Sequence, residues 1–145
     1  MRVSMKIRRP SDRLAGCCWL PRFADKARAR LQGTLPWIYH FSFGRSFGLD
    51  GLLLEHFAIS REEFLRAVRE CADDESLARW FLAQPGVNPD SIERWNAYAP
   101  TVGAPGKPGA LLRTIVAWPL YPNTRGRRVE TFFELIEADE PAEPV

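Results

Sequence analysis

Apolar residues recur at helical spacing along most of the chain. Leu20, Ala24, Ala27 and Leu31 fall at i, i+4, i+7 and i+11, a single stripe that Phe23 widens. The spacing predicts a first helix over about 18–32. Pro21 suits its first turn, where a missing N–H costs nothing, and Gly33 stands where a left-handed C-cap is expected. A second helix is expected over 47–57, with Leu49, Leu52, Leu53 and Phe57 as its core face and Gly48 and Gly51 weakening it. Ser60, followed three residues later by Glu63, reads as a capping box opening a third helix lined by Phe64, Val68 and Cys71. Asp74 reads as the N-cap of a fourth, which buries Leu77, Trp80 and Phe81 and is closed by Gly86. Asn88 and Pro89 start a fifth, with Ile92, Trp95 and Ala99 on one face.

The remaining stretches are less regular. Residues 1–12 carry no period and read as a flexible basic arm. "TLPWIYHFSFGRS", 34–46, reads as an ordered, partly buried aromatic loop, and "PTVGAPGKPG", 100–109, as a Pro/Gly loop. "ALLRTIVAW", 110–118, is expected to be a sixth helix, although β-branched Thr114, Ile115 and Val116 leave a strand open. "VETFFELIEA", 129–138, reads as a short amphipathic last helix, followed by an acidic tail at 141–145. No useful stretch alternates with period two. The fold class is therefore all-α: a single compact domain of five to seven helices over 13–140, with the aromatic loop after the first helix.

Composition narrows the function classes. The 145 residues are 46% apolar and 26% charged, the balance of a globular protein. The longest apolar runs, "GLLL" and "TIVAW", fall far short of the roughly 20 residues a membrane helix needs. The basic start "MRVSMKIRRPSDR" lacks the apolar region of a secretion signal. Cys17, Cys18 and Cys71 make an odd number of cysteines, expected as free thiols in a reducing cytoplasm. The net charge of +2 is unevenly spread: residues 1–45 hold ten Lys/Arg and two Asp/Glu, and residues 46–145 ten Lys/Arg and sixteen Asp/Glu. Such asymmetry fits either an anion-binding face or a basic N-terminal part packed on an acidic remainder.

Catalytic and cofactor motifs are missing. "GAPGKPG" has the wrong spacing for a phosphate-binding loop and no hydroxyl after Lys107. There is no G-x-G-x-x-G, H-E-x-x-H or C-x-x-C, so neither cofactor nor metal is expected. His40 and His56 are the side chains that titrate near neutrality unaided. With Asp50 and Glu55 they form the candidate acid/base set, although His56 near a helix C-terminus also suits the helix dipole. Arg22, Lys26 and Arg30 follow one another at i, i+4, and such like charges repel by a few tenths of a kcal/mol per pair. Asp25 lies three residues from Arg22 and from Arg28. Arg22 and Lys26 can bury their stems while their heads find partners. Trp37, Tyr39 and Phe41 are expected to return over this helix from the loop. Arg22, Asp25, Lys26, Trp37, Tyr39 and His40 are the candidate ligand-binding residues, because aromatic walls beside cations suit a carboxylate or phosphate.

"GCCWLPRFADKARARLQGTL", followed by "FGLDGLLLEHFAISREEFLRAV", "DDESLARWF", "IERWNAY" and "TFFELIEADE", resembles the bacterial domain-of-unknown-function 5069 family over roughly 10–140. The run from Leu20 to Leu35 is the most specific element. The chain departs from the pattern after it, reading Pro36-Trp37-Ile38-Tyr39. The resemblance implies a small, mostly helical bacterial protein and brings no activity, cofactor or catalytic residue with it. The leading expectation is a non-catalytic binding module for a small anionic ligand or a protein partner. The alternative is an enzyme using a His/carboxylate site beside Arg22 and Lys26. A weaker one is non-specific nucleic-acid binding through the basic N-terminal part; without a helix-turn-helix or zinc finger, no sequence-specific nucleic acid is expected.

Overall fold

The computed structural model describes residues 7–34, 48–102 and, near the C-terminus, Thr131, Phe133, Glu134 and Ile136. It is mostly helical, as the apolar periodicity predicts, with five α-helices and a single two-stranded ribbon among the described residues. The aromatic loop beyond Thr34, the segment 110–118 and the tail 141–145 lie outside the described residues.

Strand β1 (Arg13–Leu14) pairs antiparallel with β2 (Cys17–Cys18), Arg13 opposite Cys18 and Leu14 opposite Cys17. Ala15 and Gly16 join them at φ 54° and 77°. Two successive left-handed residues make the tight turn whose twist matches the flanking strands. This ribbon moves the start of the first helix from the expected 18 to 20, because Cys18 is committed to pairing.

Helix α1 (Leu20–Leu31) ends in a Schellman motif: Thr34 N–H donates to the Ala29 carbonyl at 2.9 Å and Gly33 N–H to that of Arg30 at 3.1 Å. Gly33, at φ 74°, is the left-handed residue this ending requires. Helix α2 (Leu49–Phe57) follows Gly48 and stops at Ala58, which is left-handed at φ 55°. Helix α3 (Arg61–Glu70) is capped by the Ser60 hydroxyl, which accepts from Glu63 N–H at 3.0 Å, so of the expected capping box the Ser60 half is the one seen among the described contacts. Helix α4 (Asp74–Leu82) corrects the expected cap by one residue. Its N-cap is Asp73, accepting from Ser76 N–H at 2.8 Å and Oγ at 2.7 Å, which leaves Asp74 free of capping. Helix α5 (Pro89–Tyr98) has a reciprocal capping box between Asn88 and Ser91, with Pro89 at its start. A 3₁₀ turn, Ala99–Thr101, follows it.

The core joins these faces. Phe23 of α1 stacks on Phe64 of α3, with ring centroids 4.2 Å apart and planes 5° from parallel. Burying each such ring stabilises by roughly 1.5–3 kcal/mol. Phe57 of α2 meets Phe81 of α4 edge-on at 5.0 Å and Trp95 of α5 at 6.1 Å. Leu77 is fully buried, whereas Trp80 and Cys71, expected in the core, are only half-buried. Cys71 lies just past α3 in extended backbone. Of the expected last helix, Phe133, Glu134 and Ile136 are helical, and Phe133 and Ile136 are buried.

Candidate functional site

The polar centre of the described structure begins at Trp19, immediately before α1. It is left-handed (φ 69°, ψ −27°), and its side chain makes no cap. For a bulky residue that backbone costs about 1–2 kcal/mol. It is held from both ends: Trp19 N–H donates to the Pro10 carbonyl at 2.9 Å, and indole Nε1–H to Asp50 Oδ1 at 2.7 Å. Arg22 and Lys26 follow Trp19 by three and seven residues, so all three share one face of the helix. The Arg22 guanidinium lies 5.3 Å and the Lys26 ammonium 5.1 Å from the centre of the indole ring, within cation–π range.

Lys26 Nζ donates to Asp50 Oδ2 at 2.8 Å. Lys26 is 3% and Asp50 1% exposed, so this is a buried ion pair, and both Asp50 oxygens are engaged, one by Lys26 and one by Trp19. Arg22, 2% exposed, donates from Nη1 to the Arg8 carbonyl at 3.2 Å. The stripe read from sequence as three equivalent cations is thus divided: Arg22 and Lys26 are inside, while Arg30 is half-buried.

Asp25, three residues after Arg22, takes Arg8. It accepts from Arg8 N–H at 2.8 Å, Nε at 3.0 Å and Nη2 at 2.9 Å. The Arg8 guanidinium also grips Asp74, which accepts from Arg28 Nη1 at 2.8 Å. The segment expected as an extended arm therefore carries an arginine clamped across α1 and α4. Asp74 is held down to about 2, chiefly by hydrogen bonding to Arg8, then to Arg28, against the opposing effect of burial. Arg8 is pushed above its ordinary range by the same two acids, Asp25 first. Lys26, Arg8 and Arg28 thus each draw an acid from the acidic remainder of the chain, Asp50 or Asp74.

A pH dependence follows. Asp74 has a folded pKa below its ordinary value of 3.8, so its stabilisation is present above about 4 and lost as pH falls toward about 2. In an acid titration the wild type is expected to lose stability across that window more steeply than Arg8→Gln. Identical profiles would show that the clamp contributes nothing.

The hairpin is fastened to α5 by side chains. Asn96 accepts from Cys18 N–H at 2.9 Å through Oδ1 and donates from Nδ2 to the Gly16 carbonyl at 2.8 Å. Trp95 Nε1–H donates to the Cys18 carbonyl at 2.8 Å. Burial pushes the Cys18 thiol up to about 11 and the Cys17 thiol higher still, so both are neutral, unreactive thiols near pH 7. Beside the hairpin lies an open cleft of about 270 Å³. Ser11, Arg13 and Cys18 line one side, Asn96 and Pro100 another, and Thr131, Phe133 and Glu134 a third. Phe133 stacks on Trp19 at 5.7 Å, which places the buried Trp19–Lys26–Asp50 cluster directly behind one cleft wall. Arg13 is exposed and takes part in no side-chain hydrogen bond or ion pair among the described residues.

Of the residues singled out from sequence, Arg22, Lys26 and Asp50 come together around Trp19. Asp25 sits with Arg8. Trp37, Tyr39 and His40 lie outside the described residues. Asp50 does not join Glu55 and His56. Five or six residues along a helix place a side chain well over 90° around it. Glu55 is exposed, and His56 Nε2 lies 2.8 Å from the Ser91 carbonyl, against Phe57 and Trp95. That carbonyl only accepts, so Nε2 carries the proton. Arg8, Arg13, Trp19 and Asn96 were not singled out. Only Trp19 had a local signal, an aromatic residue just before a helix with cations three and seven positions on.

No group of three or more His, Cys, Asp or Glu suited to a metal occurs among the described residues, and none of their helices is long and apolar enough to cross a membrane. No curated protein matches the chain. The family model described as Domain of unknown function (DUF5069) matches residues 4–142, nearly the whole length, and the chain belongs to that family.

Proposed function

We propose that this chain is a non-catalytic binding module that holds a small anionic ligand in the cleft lined by the hairpin, Asn96 and Pro100, and Thr131, Phe133 and Glu134. The observation that carries this reading is Arg13, an exposed cation lining a concave site with no internal partner among the described residues. A guanidinium offers five donors in a planar fork suited to a carboxylate or phosphate. The cleft, at about 270 Å³, lies near the lower end of the roughly 300–1,000 Å³ common for ligand pockets. Its walls mix polar Ser11, Asn96 and Thr131 with apolar Phe133 and Pro100, the composition such sites favour. The unreactive Cys17 and Cys18 thiols offer no nucleophile beside it, and three free cysteines suit the reducing cytoplasm. The buried Arg22, Lys26 and Asp50 serve as the support that fixes its Trp19–Phe133 wall.

A thermal-shift screen against carboxylates, phosphates and divalent metals tests the reading. An anion is expected to raise Tm of the wild type by mass action, and the rise is expected to vanish in Arg13→Gln. An exposed substitution of this kind changes stability by no more than about 0.5 kcal/mol, so the loss would be of binding and not of fold. A response that survives in Arg13→Gln would place the ligand elsewhere. Substrate turnover accompanying a metal response would make the protein an enzyme.

A further inference from the structure

We infer that the cleft ligand is a short monocarboxylate with a branched apolar body, and not a phosphate; the inference rests on the anion-binding reading above. The register of the ribbon aims Arg13. Residues directly opposite on an antiparallel pair project from the same face, and Arg13 stands opposite Cys18. Both line the cleft. Leu14 and Cys17, the next pair, project from the other face, where Cys17 is fully buried in the core and Leu14 packs against it. Burial raises the Cys18 thiol, and the Arg13 charge opposes that rise, which agrees with a guanidinium on the Cys18 side of the ribbon. Arg13 is the only cation among the described residues that line the cleft. Thr131, on another wall, is a second donor. Its Oγ1 accepts from Glu134 N–H at 3.1 Å, and a hydroxyl that accepts still has a proton to give. Glu134 has a further interaction of its own and is given no part in holding the ligand.

Charge and lining both select this class. A carboxylate takes a guanidinium fork through two parallel bonds, and its single charge is matched by Arg13. A phosphate group carries about −1.5 to −2 near pH 7, more than one cation matches. Phe133, Pro100 and Cys18 supply apolar surface that a bare oxyanion leaves unused and an apolar body covers. At about 270 Å³ the cleft is smaller than the roughly 300–1,000 Å³ that hold drug-sized ligands, so that body is short. The walls are set before any ligand arrives. Asn96 ties down both the turn and the second strand of the hairpin, and Phe133 rests on a tryptophan whose indole is hydrogen-bonded to Asp50. A preorganised site loses less freedom on binding.

Four probes separate head from body: isovalerate; acetate, with the same head and almost no body; isovaleramide, with the same body and no charge; and inorganic phosphate. Binding to the full chain is followed by calorimetry, and NMR shifts of the cleft residues locate it. Isovalerate is expected to bind about tenfold or more tighter than acetate, which buries less apolar surface, and than isovaleramide, which lacks the charged contact. Phosphate is expected to bind no tighter than acetate. Arg13→Gln is expected to bring isovalerate down to the level of isovaleramide. Arg13→Lys keeps the charge but loses the fork, and is expected to restore only part of the difference. Arg13 is exposed, so thermal melts should show both variants folded like the parent. Phosphate binding tighter than acetate in an Arg13-dependent way, or acetate matching isovalerate, would overturn the monocarboxylate and leave the anion site standing. Isovaleramide matching isovalerate, or isovalerate binding unchanged in Arg13→Gln, would overturn it by taking Arg13 out of the site. Failure of every anion would overturn both readings together.

Discussion

Asp50→Ala is expected to cost about 3–5 kcal/mol of folding stability, a substantial share of what a domain of this size possesses. The reason is asymmetric. Asp50 is 1% exposed and accepts from Lys26 at 2.8 Å and from the Trp19 indole at 2.7 Å. Truncation removes both bonds, but the larger penalty is the Lys26 ammonium left in the interior without its counterion. The pair need not be worth that much itself, since desolvating two charges offsets most of their attraction. A double-mutant cycle separates these statements. Lys26→Met alone is expected to destabilise strongly, because it removes the cation 2.8 Å from a carboxylate that stays buried. Lys26→Met combined with Asp50→Asn leaves no buried charge from the pair and keeps an acceptor for Trp19. Its cost is therefore expected to fall at least about 1 kcal/mol short of the sum of the two single changes. Urea unfolding of the four proteins measures this. If Asp50→Ala stays within about 1 kcal/mol of the parent, the pair is not buried in solution as it is here. The substitution should also loosen the cleft, because the indole that Asp50 holds is the one Phe133 rests on.

What could be read from the sequence was what neighbours in sequence decide. Ser60, Asn88–Pro89 and Gly33 act within one turn of themselves, and each stands where its chemistry predicts. The α1 stripe was legible over Leu20, Ala24 and Ala27, all fully buried, because helical spacing repeats from turn to turn; Leu31, expected to continue it, is exposed at the helix end. The Asp73–Asp74 pair shows where local reasoning thins. Either acid can cap a helix, and the choice falls to Asp73 while Asp74 is drawn to Arg8 and Arg28, 66 and 46 residues away in sequence. The hairpin at 13–18 escaped because two-residue strands carry no period. Its turn, Ala15–Gly16, also lacks the Asn-Gly or Asp-Gly signature of such connections.

The site was legible in part and for the same reason. Charges spaced by four residues marked Arg22 and Lys26 as needing partners. Spacing could not say that the partner is Asp50, 24 residues from Lys26, or that Trp19 lies beneath both cations. The cleft was beyond reach altogether. Its walls come from residues between 11 and 18, from Asn96 and Pro100, and from Thr131, Phe133 and Glu134, which only the finished fold brings together. Arg13 looked like one more cation in a basic segment. Its distinction lies in the acids that Lys26, Arg8 and Arg28 have and that it lacks among the described residues.

Gly86→Ala is expected to destabilise by about 3 kcal/mol, the upper end of ordinary overpacking costs. A methyl group is a small addition, and at most exposed loop positions it would be neutral. At Gly86, however, an added Cβ would lie 2.2 Å from the Phe57 carbonyl oxygen and 2.9 Å from its carbonyl carbon. Both atoms are backbone, so no side chain can swing aside. Either the α4–α5 connection or the end of α2 must move. Phe57 sits at the last residue of α2 with its ring fully buried against Phe81 and Trp95, so moving it disturbs three helices at once. The contrast is Gly33→Ala. Gly33 is left-handed at φ 74°, but a Cβ there meets nothing within 4 Å. Its cost is therefore the backbone preference alone, about 1–2 kcal/mol. The two substitutions add the same atom, and their ranking distinguishes close approach from conformational strain. Chemical denaturation of both variants measures it. A Gly86→Ala loss below that of Gly33→Ala would mean that the α4–α5 connection stands off from α2 in solution, and that the close approach at Phe57 is not a feature of the folded chain.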